Sequence, residues 1–298
     1  MILFDDGSTD NTAAITDAYA ENDPRVRVFH SPHVGIVEAL RRACADARGA
    51  YLARLDADDV ALPTRLAKQL ALMKQHPEVA LCGCQVELFG EGIGTGRRRY
   101  EGWVNGLLDH EEMERELFVE CPVPHPTFMI RRDAYDAIGG YVDASWPEDY
   151  DLVMRLWCAG YRMGKVARPL LRWRHTEGRL SMNDPRYAPE QFRGLKRHYL
   201  AKMYLEGRTE FYQWGAGEVG KQWLREWGSG APKAVVDINP RKIGRTIHDV
   251  RVIAPDDLPD PGSGFTVVAV GAPGAREEIR TWFDDRGYTE LSDYLFLA

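Results

Sequence analysis

The chain has 298 residues, 44% hydrophobic and 28% charged, which at roughly 150 residues per domain predicts a globular protein of about two domains. Its 38 basic and 45 acidic side chains give a formal charge of −7, so no overall basic field exists to attract nucleic acid, and no apolar run approaches the roughly 20 residues of a membrane-crossing helix. Five cysteines, an odd number with no secretory signal ahead of them, predict reduced thiols in a cytosolic compartment; Cys82-Gly-Cys84 has no second Cys/His pair at zinc spacing and reads as small core side chains.

Met1 to Phe4 is an apolar, strand-like run that reaches Asp5-Asp6-Gly7 with nothing ahead of it, as though the chain begins inside a fold. Ser8-Thr9-Asp10 supplies an N-cap cluster for a helix over 12–19, and residues 26–29 alternate as a half-buried strand. Apolar residues at helical spacing over 36–47 end at Gly49, after which 50–55 forms a strand running into Asp56. This alternation predicts an α/β fold with a largely parallel sheet. Pro63 opens a helix through Lys74, residues 79–86 read as a strand and 111–118 as a helix. Asn183-Asp184-Pro185 and Pro189 then break the chain, which predicts a first domain over 1–182, a helical connector over 183–208 and a second domain over 209–298. The connector carries Phe192, Leu195, Tyr199 and Met203 on one face and Arg193, Lys196, Arg197 and Lys202 on the other, a solvated face or one for an anionic membrane surface.

In the last domain, residues 211–214 lead into Gly215-Ala-Gly217-Glu-Val-Gly220 and a helix, and a strand ending in Asp237 follows about 20 residues after the glycines, at dinucleotide-binding spacing. The glycines would let phosphate approach a helix N-terminus while Asp237 holds ribose hydroxyls. Residues 266–274 repeat the strand and glycine turn, and the domain resembles the small Rossmann-like domains that bind nucleotides or sugar nucleotides beside sugar-modifying enzymes. A dinucleotide, a sugar nucleotide or a purely architectural role all fit.

Acidic or polar clusters fall where strands of the first domain should end: Asp5-Asp6-Gly7-Ser8, Asp56-Ala-Asp58-Asp59, Glu148-Asp149-Tyr-Asp151, and His175 with Ser181. Ligands of open α/β sheets bind beyond the carboxyl ends of strands, so separate strands are able to point these clusters into one crevice. Asp56 and Asp58 offer hard oxygen ligands that suit Mg²⁺ or Mn²⁺, especially a cation shared with a diphosphate; standing alone the pair also reads as two solvated loop carboxylates.

Taken in order, the strings at 4–12 (FDDGSTDNT), 49–59 (GAYLARLDADD), 63–66 (PTRL), 125–129 (HPTFM) with Gly139-Gly-Tyr141, 148–152 (EDYDL), and Arg174-His175 with Leu180-Ser181 resemble the family 2 glycosyltransferases of the GT-A fold, over about the first 180 residues. The resemblance implies a GT-A-type mixed sheet with helices on both faces, followed by the small Rossmann-like α/β domain. It implies a metal-dependent, inverting, hexosyltransferase-like enzyme of polysaccharide biosynthesis. Such an enzyme moves sugar from a nucleotide-diphosphate donor to a hydroxyl of a saccharide or lipid-linked acceptor, in the cytoplasm or at the inner membrane face, alone or as an oligomer.

By the same resemblance Asp6, with Asp5 beside it, accepts hydrogen bonds from the nucleotide base or ribose, and Asp56-Ala-Asp58 is the DXD motif, with Asp58 for the metal and Asp56 for ribose or a metal-bound water. Arg54 pairs with a carboxylate or the nucleotide. Glu148-Asp149 resembles the ED motif, in which Asp149 is the general base and Glu148 orients the acceptor or supports the base. His175 reaches the metal or diphosphate with Arg174, Arg179 and Ser181 as anion donors, and His125 and Trp146 fall on the acceptor side. Asp151 reads as a first-turn residue favourable to the helix dipole. The family's usual first strand and helix, ahead of Asp5-Asp6-Gly7-Ser8, are missing, which predicts an exposed sheet edge and pairing with another chain. The alternative is a non-catalytic sugar-nucleotide or NAD-binding protein with a degenerate transferase domain.

Overall fold

Strand–helix alternation builds two units in the computed structural model, Met1–Asp109 with Val123–Arg186, and His110–Pro122 with Tyr187–Ala298. Residues 1–176, 178 and 183–298 are described, residue 229 by its backbone alone; Arg179 and Ser181, expected at the donor site, lie outside the described residues.

The first unit begins with β1 (Ile2–Asp6) and β2 (Arg27–Ser31), a parallel pair linked by α1 (Thr12–Asn22). No residue of α1 is buried, and its Ile15 and Tyr19 are exposed. After α2 (Ile36–Asp46) come β3 (Tyr51–Ala53), β4 (Val60–Ala61), α3 (Arg65–Gln75), β5 (Val79–Gly90) and α4 (Thr95–Gly106). Helix α5 (His110–Glu116) belongs to the second unit; the first resumes with β6 (Met129–Arg131), α6 (Arg132–Ala137), α7 (Glu148–Cys158) and β7 (Arg162–His175).

These strands form a five-stranded sheet in the order β3-β6-β5-β7-β4. The sheet is mixed rather than largely parallel, since β5 and β7 pair in parallel while β6 runs against both β3 and β5, and β4 against β7. Alternation predicts parallel pairing only where each helix is a crossover between neighbours, and β6 is instead entered from the short 3-10 turn His125–Thr127. Gly83, in the middle of β5, lets that turn pack close, because a Cβ there would sit 2.5 Å from Val123 Cγ1 and 3.1 Å from Thr127 Oγ1. Cys82 and Cys84 are buried beside it as free thiols, pushed by burial up to about 12 and about 11, so they act as core and not as metal ligands.

The second unit contains α8 (Pro189–Leu200), β8 (Tyr212–Trp214), α9 (Glu218–Trp227), β9 (Ala234–Val236), β10 (Thr246–Ile247), β11 (Val250–Ile253), β12 (Thr266–Val268), α10 (Ala275–Asp284) and β13 (Tyr294–Phe296). Its six-stranded sheet runs β10-β11-β9-β8-β12-β13, parallel throughout except for the β10 edge. The strand order reverses between β8 and β12, which makes the loops after those strands a topological switch point. Aromatic residues fill the core, with Phe283 stacked on Tyr294 at 4.0 Å and Trp214 edge-on to Trp282 at 4.8 Å.

Helix α8 belongs to this unit and is not a solvated connector, for Leu195, Tyr199 and Leu200 are buried. Its expected basic face is engaged as well. Lys196 is only 7% exposed and its Nζ donates to the carbonyls of Val119 and Leu297, while Arg193 pairs with the Glu226 carboxylate at 3.0 Å and Arg197 donates to the Glu226 carbonyl. Three of the four cations that sequence spacing offered to a membrane surface thus have partners within their own unit. Among the described residues no helix is long and apolar enough to cross a membrane.

Candidate active site

Arg54 is the first residue beyond β3, and its N–H donates to the Phe128 carbonyl at 2.9 Å, so the chain leaves the sheet beside the 125–128 turn. It then closes a tight turn, Asp59 N–H to the Asp56 carbonyl at 3.2 Å, before β4 pairs with β7. The end of β7 fastens the loop: the Arg174 N–H donates to Asp59 Oδ1 at 2.7 Å and Arg174 Nε to the Asp58 carbonyl at 2.8 Å. As a result Asp56, Asp58 and Asp59 place carboxylate oxygens within 4.8 Å of one another. An all-oxygen, all-anionic donor set of this size fits Mg²⁺ or Mn²⁺ and is a poor match for softer metals. Asp59 is the member that motif reading passed over. His175, opposite Gly90 at the end of the β5–β7 ladder, is not one of this group, and Arg174 serves the loop's backbone.

A second cluster gathers at the start of α7. Gly139 and Gly140 both take positive φ, 79° and 64°, and a Cβ on Gly140 would lie 2.6 Å from the Tyr135 ring; that close turn brings Tyr141 inward. Tyr141 and His125 Nε2 are 2.7 Å apart, while His125 Nδ1 lies 3.5 Å from Glu148 Oε1 and 3.9 Å from Asp149 Oδ2. Burial, with Arg54 nearby, holds the His125 pKa well below its usual value, and burial pushes Tyr141 well above its own. Carboxylates only accept, so their place beside Nδ1 matches a neutral ring with its proton on Nδ1 and Tyr141 donating to Nε2. Glu148 is 1% exposed and the Asp149 side chain 23% exposed, so of the pair Asp149 is the one within reach of an outside hydroxyl. Trp146 Nε1 donates to Asp151 Oδ1 at 2.9 Å, and Asp151 also accepts Arg155 Nε at 2.7 Å, which makes both residues a brace for the first turns of α7.

Arg54 stands between the two clusters. Its Nη2 is 2.5 Å from Asp56 Oδ1, and although burial opposes its charge, Asp56, Tyr141 and Glu148 hold its pKa above the ordinary value. A buried ladder behind it sets its position: Arg65 donates through Nη2 to the Arg54 carbonyl at 2.5 Å and through Nε to Gln69 Oε1 at 3.0 Å, and Gln69 Nε2 donates to the carbonyls of Cys82 and Thr127. One residue of α3 therefore ties β5 to the turn that carries His125. Sequence reading missed both Gln69 and Tyr141; the only signal for them was their place inside or just beyond the matched strings.

Asp5 and Asp6 join neither cluster. Asp5 accepts the Ser8 N–H at 2.9 Å and faces His30 Nδ1 at 3.1 Å, and the Ser8 bonds, with His30 after them, lower its pKa. Asp6 accepts the N–H groups of Val34 at 2.7 Å and Gly35 at 3.0 Å, ahead of α2. Asp5 thus closes its own turn, while Asp6 ties the end of β1 to the loop ahead of α2.

In the second unit, Gly215 and Gly220 are required by packing: a Cβ on Gly215 would lie 2.5 Å from the Ala269 carbonyl oxygen, and one on Gly220 only 1.8 Å from that of Gly215. Gly217 faces open space. Asp237 is turned on its own loop, accepting from Asn239 N–H and Lys242 Nζ at 2.8 Å and from Ala216 N–H at 3.2 Å, so it does not stand open for ribose hydroxyls.

Residues 1–139 match the family model described as Glycosyl transferase family 2. The chain is 26% identical over 174 residues to the amylovoran biosynthesis glycosyltransferase AmsE of Erwinia amylovora, covering 58% of this chain and 63% of the relative. It is 28% identical over 177 residues to the O-antigen biosynthesis glycosyltransferase WbnJ of Escherichia coli, covering 58% and 66%. The chain thus spans less than two thirds of the length of these relatives. Among solved structures, S. aureus TarS 1-349 in complex with UDP-GlcNAc superposes with a TM-score of 0.52 at 17% identity, covering 68% of this chain and 56% of that one. Residues 1–139 are therefore similar to glycosyltransferase family 2 domains, and the fold of the first unit is the GT-A-like mixed α/β fold.

Proposed function

We propose that this protein is an inverting glycosyltransferase that moves a sugar from a nucleoside-diphosphate donor to a hydroxyl of a saccharide or lipid-linked acceptor. The observation that carries the reading is the pair of clusters, the three carboxylates of Asp56, Asp58 and Asp59 and the group of His125, Glu148 and Asp149, with Arg54 paired to the first and in the field of the second. Asp56, Asp58 and Asp59 would hold Mg²⁺ or Mn²⁺, which when bound neutralises charge on a leaving diphosphate. Asp149 takes the proton from the acceptor hydroxyl, Glu148 and His125 hold its orientation, and attack from the side opposite the leaving group inverts the anomeric carbon. The names of the relatives, amylovoran and O-antigen biosynthesis, make a polysaccharide the acceptor to try first.

The test is thermal stability against UDP-, GDP- and dTDP-sugars with and without Mn²⁺, since a ligand that binds only the native state raises its melting temperature. Stabilisation by one donor that requires Mn²⁺ and is lost in Asp58→Ala supports the donor site; no response to any donor sinks it. With the donor in hand, Asp149→Asn should lower turnover by about 10³-fold or more with donor binding intact. For the second unit, the glycine loop at the switch point favours a nucleotide ligand, and a Mn²⁺-independent shift abolished by Gly217→Asp is the matching test.

A further inference from the structure

The Arg54 guanidinium has an arrangement that neither motif accounts for. Its side chain is 13% exposed; one N–H group meets Asp56, while Nε and Nη1 are buried with no hydrogen-bond partner among the described residues. Donors left this way in a buried guanidinium are costly, so the position is held by charge, that of Asp56 first and of Glu148 after it. Asp56 is also one of the three carboxylates able to share a cation. A guanidinium and a divalent cation on one carboxylate compete for its single negative charge, and two cations a few ångströms apart repel strongly where water is scarce.

We propose that Arg54 is the resident counter-cation of Asp56, competing with the divalent cation for the aspartate motif and thereby keeping the affinity of the motif for a bare cation low. The inference rests on the metal part of the proposed function and concerns how that site is regulated. Its consequence is ordered loading: a cation that arrives with an anionic diphosphate brings its own charge balance, whereas a bare cation must displace the guanidinium with nothing to receive it.

The experiment is titration of Mn²⁺ alone into the full chain, followed by electron paramagnetic resonance, with no donor present. Arg54→Gln should bind Mn²⁺ on the order of tenfold more tightly than the unsubstituted chain. The gain should vanish in the Asp56→Asn background, where the two partners no longer compete. Arg54→Lys, which keeps the charge but loses the planar fit to a carboxylate, should lie between and serves as the reading if Arg54→Gln fails to fold by circular dichroism. Equal or weaker Mn²⁺ binding by the folded Arg54 variants overturns the inference. If that happens while Asp58→Asn still abolishes binding, the metal site stands and only the role of Arg54 falls; if no form binds Mn²⁺, this inference and the metal assignment fall together, and the donor panel decides the rest.

Discussion

Asp58 and Asp237 each lie in a loop that follows a strand of a sheet, one in each unit, and by sequence pattern each was a ligand-binding acid. Asp237 accepts from two backbone N–H groups and Lys242, so its oxygens hold the glycine loop shut on its own chain. Asp58 is exposed, its backbone carbonyl tied by Arg174 while its carboxylate sits within 4.8 Å of two others. Like charges gathered at that distance repel unless something positive joins them, which is what a cation site needs and a structural cap avoids. The difference teaches that an aspartate after a strand is informative only once its hydrogen-bond partners are counted.

The comparison can be broken most severely in the second unit. Gly220→Ala would drive a methyl group into the Gly215 carbonyl oxygen, backbone against backbone, and should destabilise that unit by about 3 kcal/mol or more, read as a loss of cooperative melting. A variant that melts like the parent would mean that the loop is looser than this close packing requires. In the first unit the corresponding support is polar. Gln69→Leu removes the donor to two buried carbonyls and the acceptor for Arg65, and should cost about 2–4 kcal/mol in denaturant unfolding. A smaller effect follows for Tyr141→Phe, which leaves the fold but frees the His125 tautomer; turnover should fall about tenfold with the donor KM unchanged. A change in KM alone would place Tyr141 on the substrate side.

Most strand and helix positions of the first unit, and the two acidic motifs, were legible because they rest on local period and on short strings. What was not legible depends on partners far along the chain. Asp59 joins the aspartate group through an amide 115 residues away, and Gln69 reaches the Thr127 carbonyl across 58 residues. The direction of β6 was invisible for the same reason, since alternation of side chains is identical for parallel and antiparallel pairing. Likewise the spacing of Lys196 on α8 is that of a solvated face, and only the carbonyls of Val119 and Leu297 reveal that the ammonium is buried.

That buried ammonium gives the finest test. Burial lowers the Lys196 pKa from the ordinary 10.5 to about 8, with Glu120 partly opposing and Arg193 and Arg276 adding to the effect. Between those values the unfolded chain binds this proton and the folded chain sheds it, so stability attributable to Lys196 rises with pH across the window and is flat below it, where both states are protonated. Other groups, tyrosines above all, titrate near the upper end, so the useful comparison is the parent against Lys196→Met from about pH 7.5 to 9.5. The parent curve should climb relative to the variant as pH increases. Parallel curves would mean that the ammonium keeps its proton in the folded unit, held by the two carbonyls strongly enough to offset its burial, and α8 would then be a charged helix that the core tolerates.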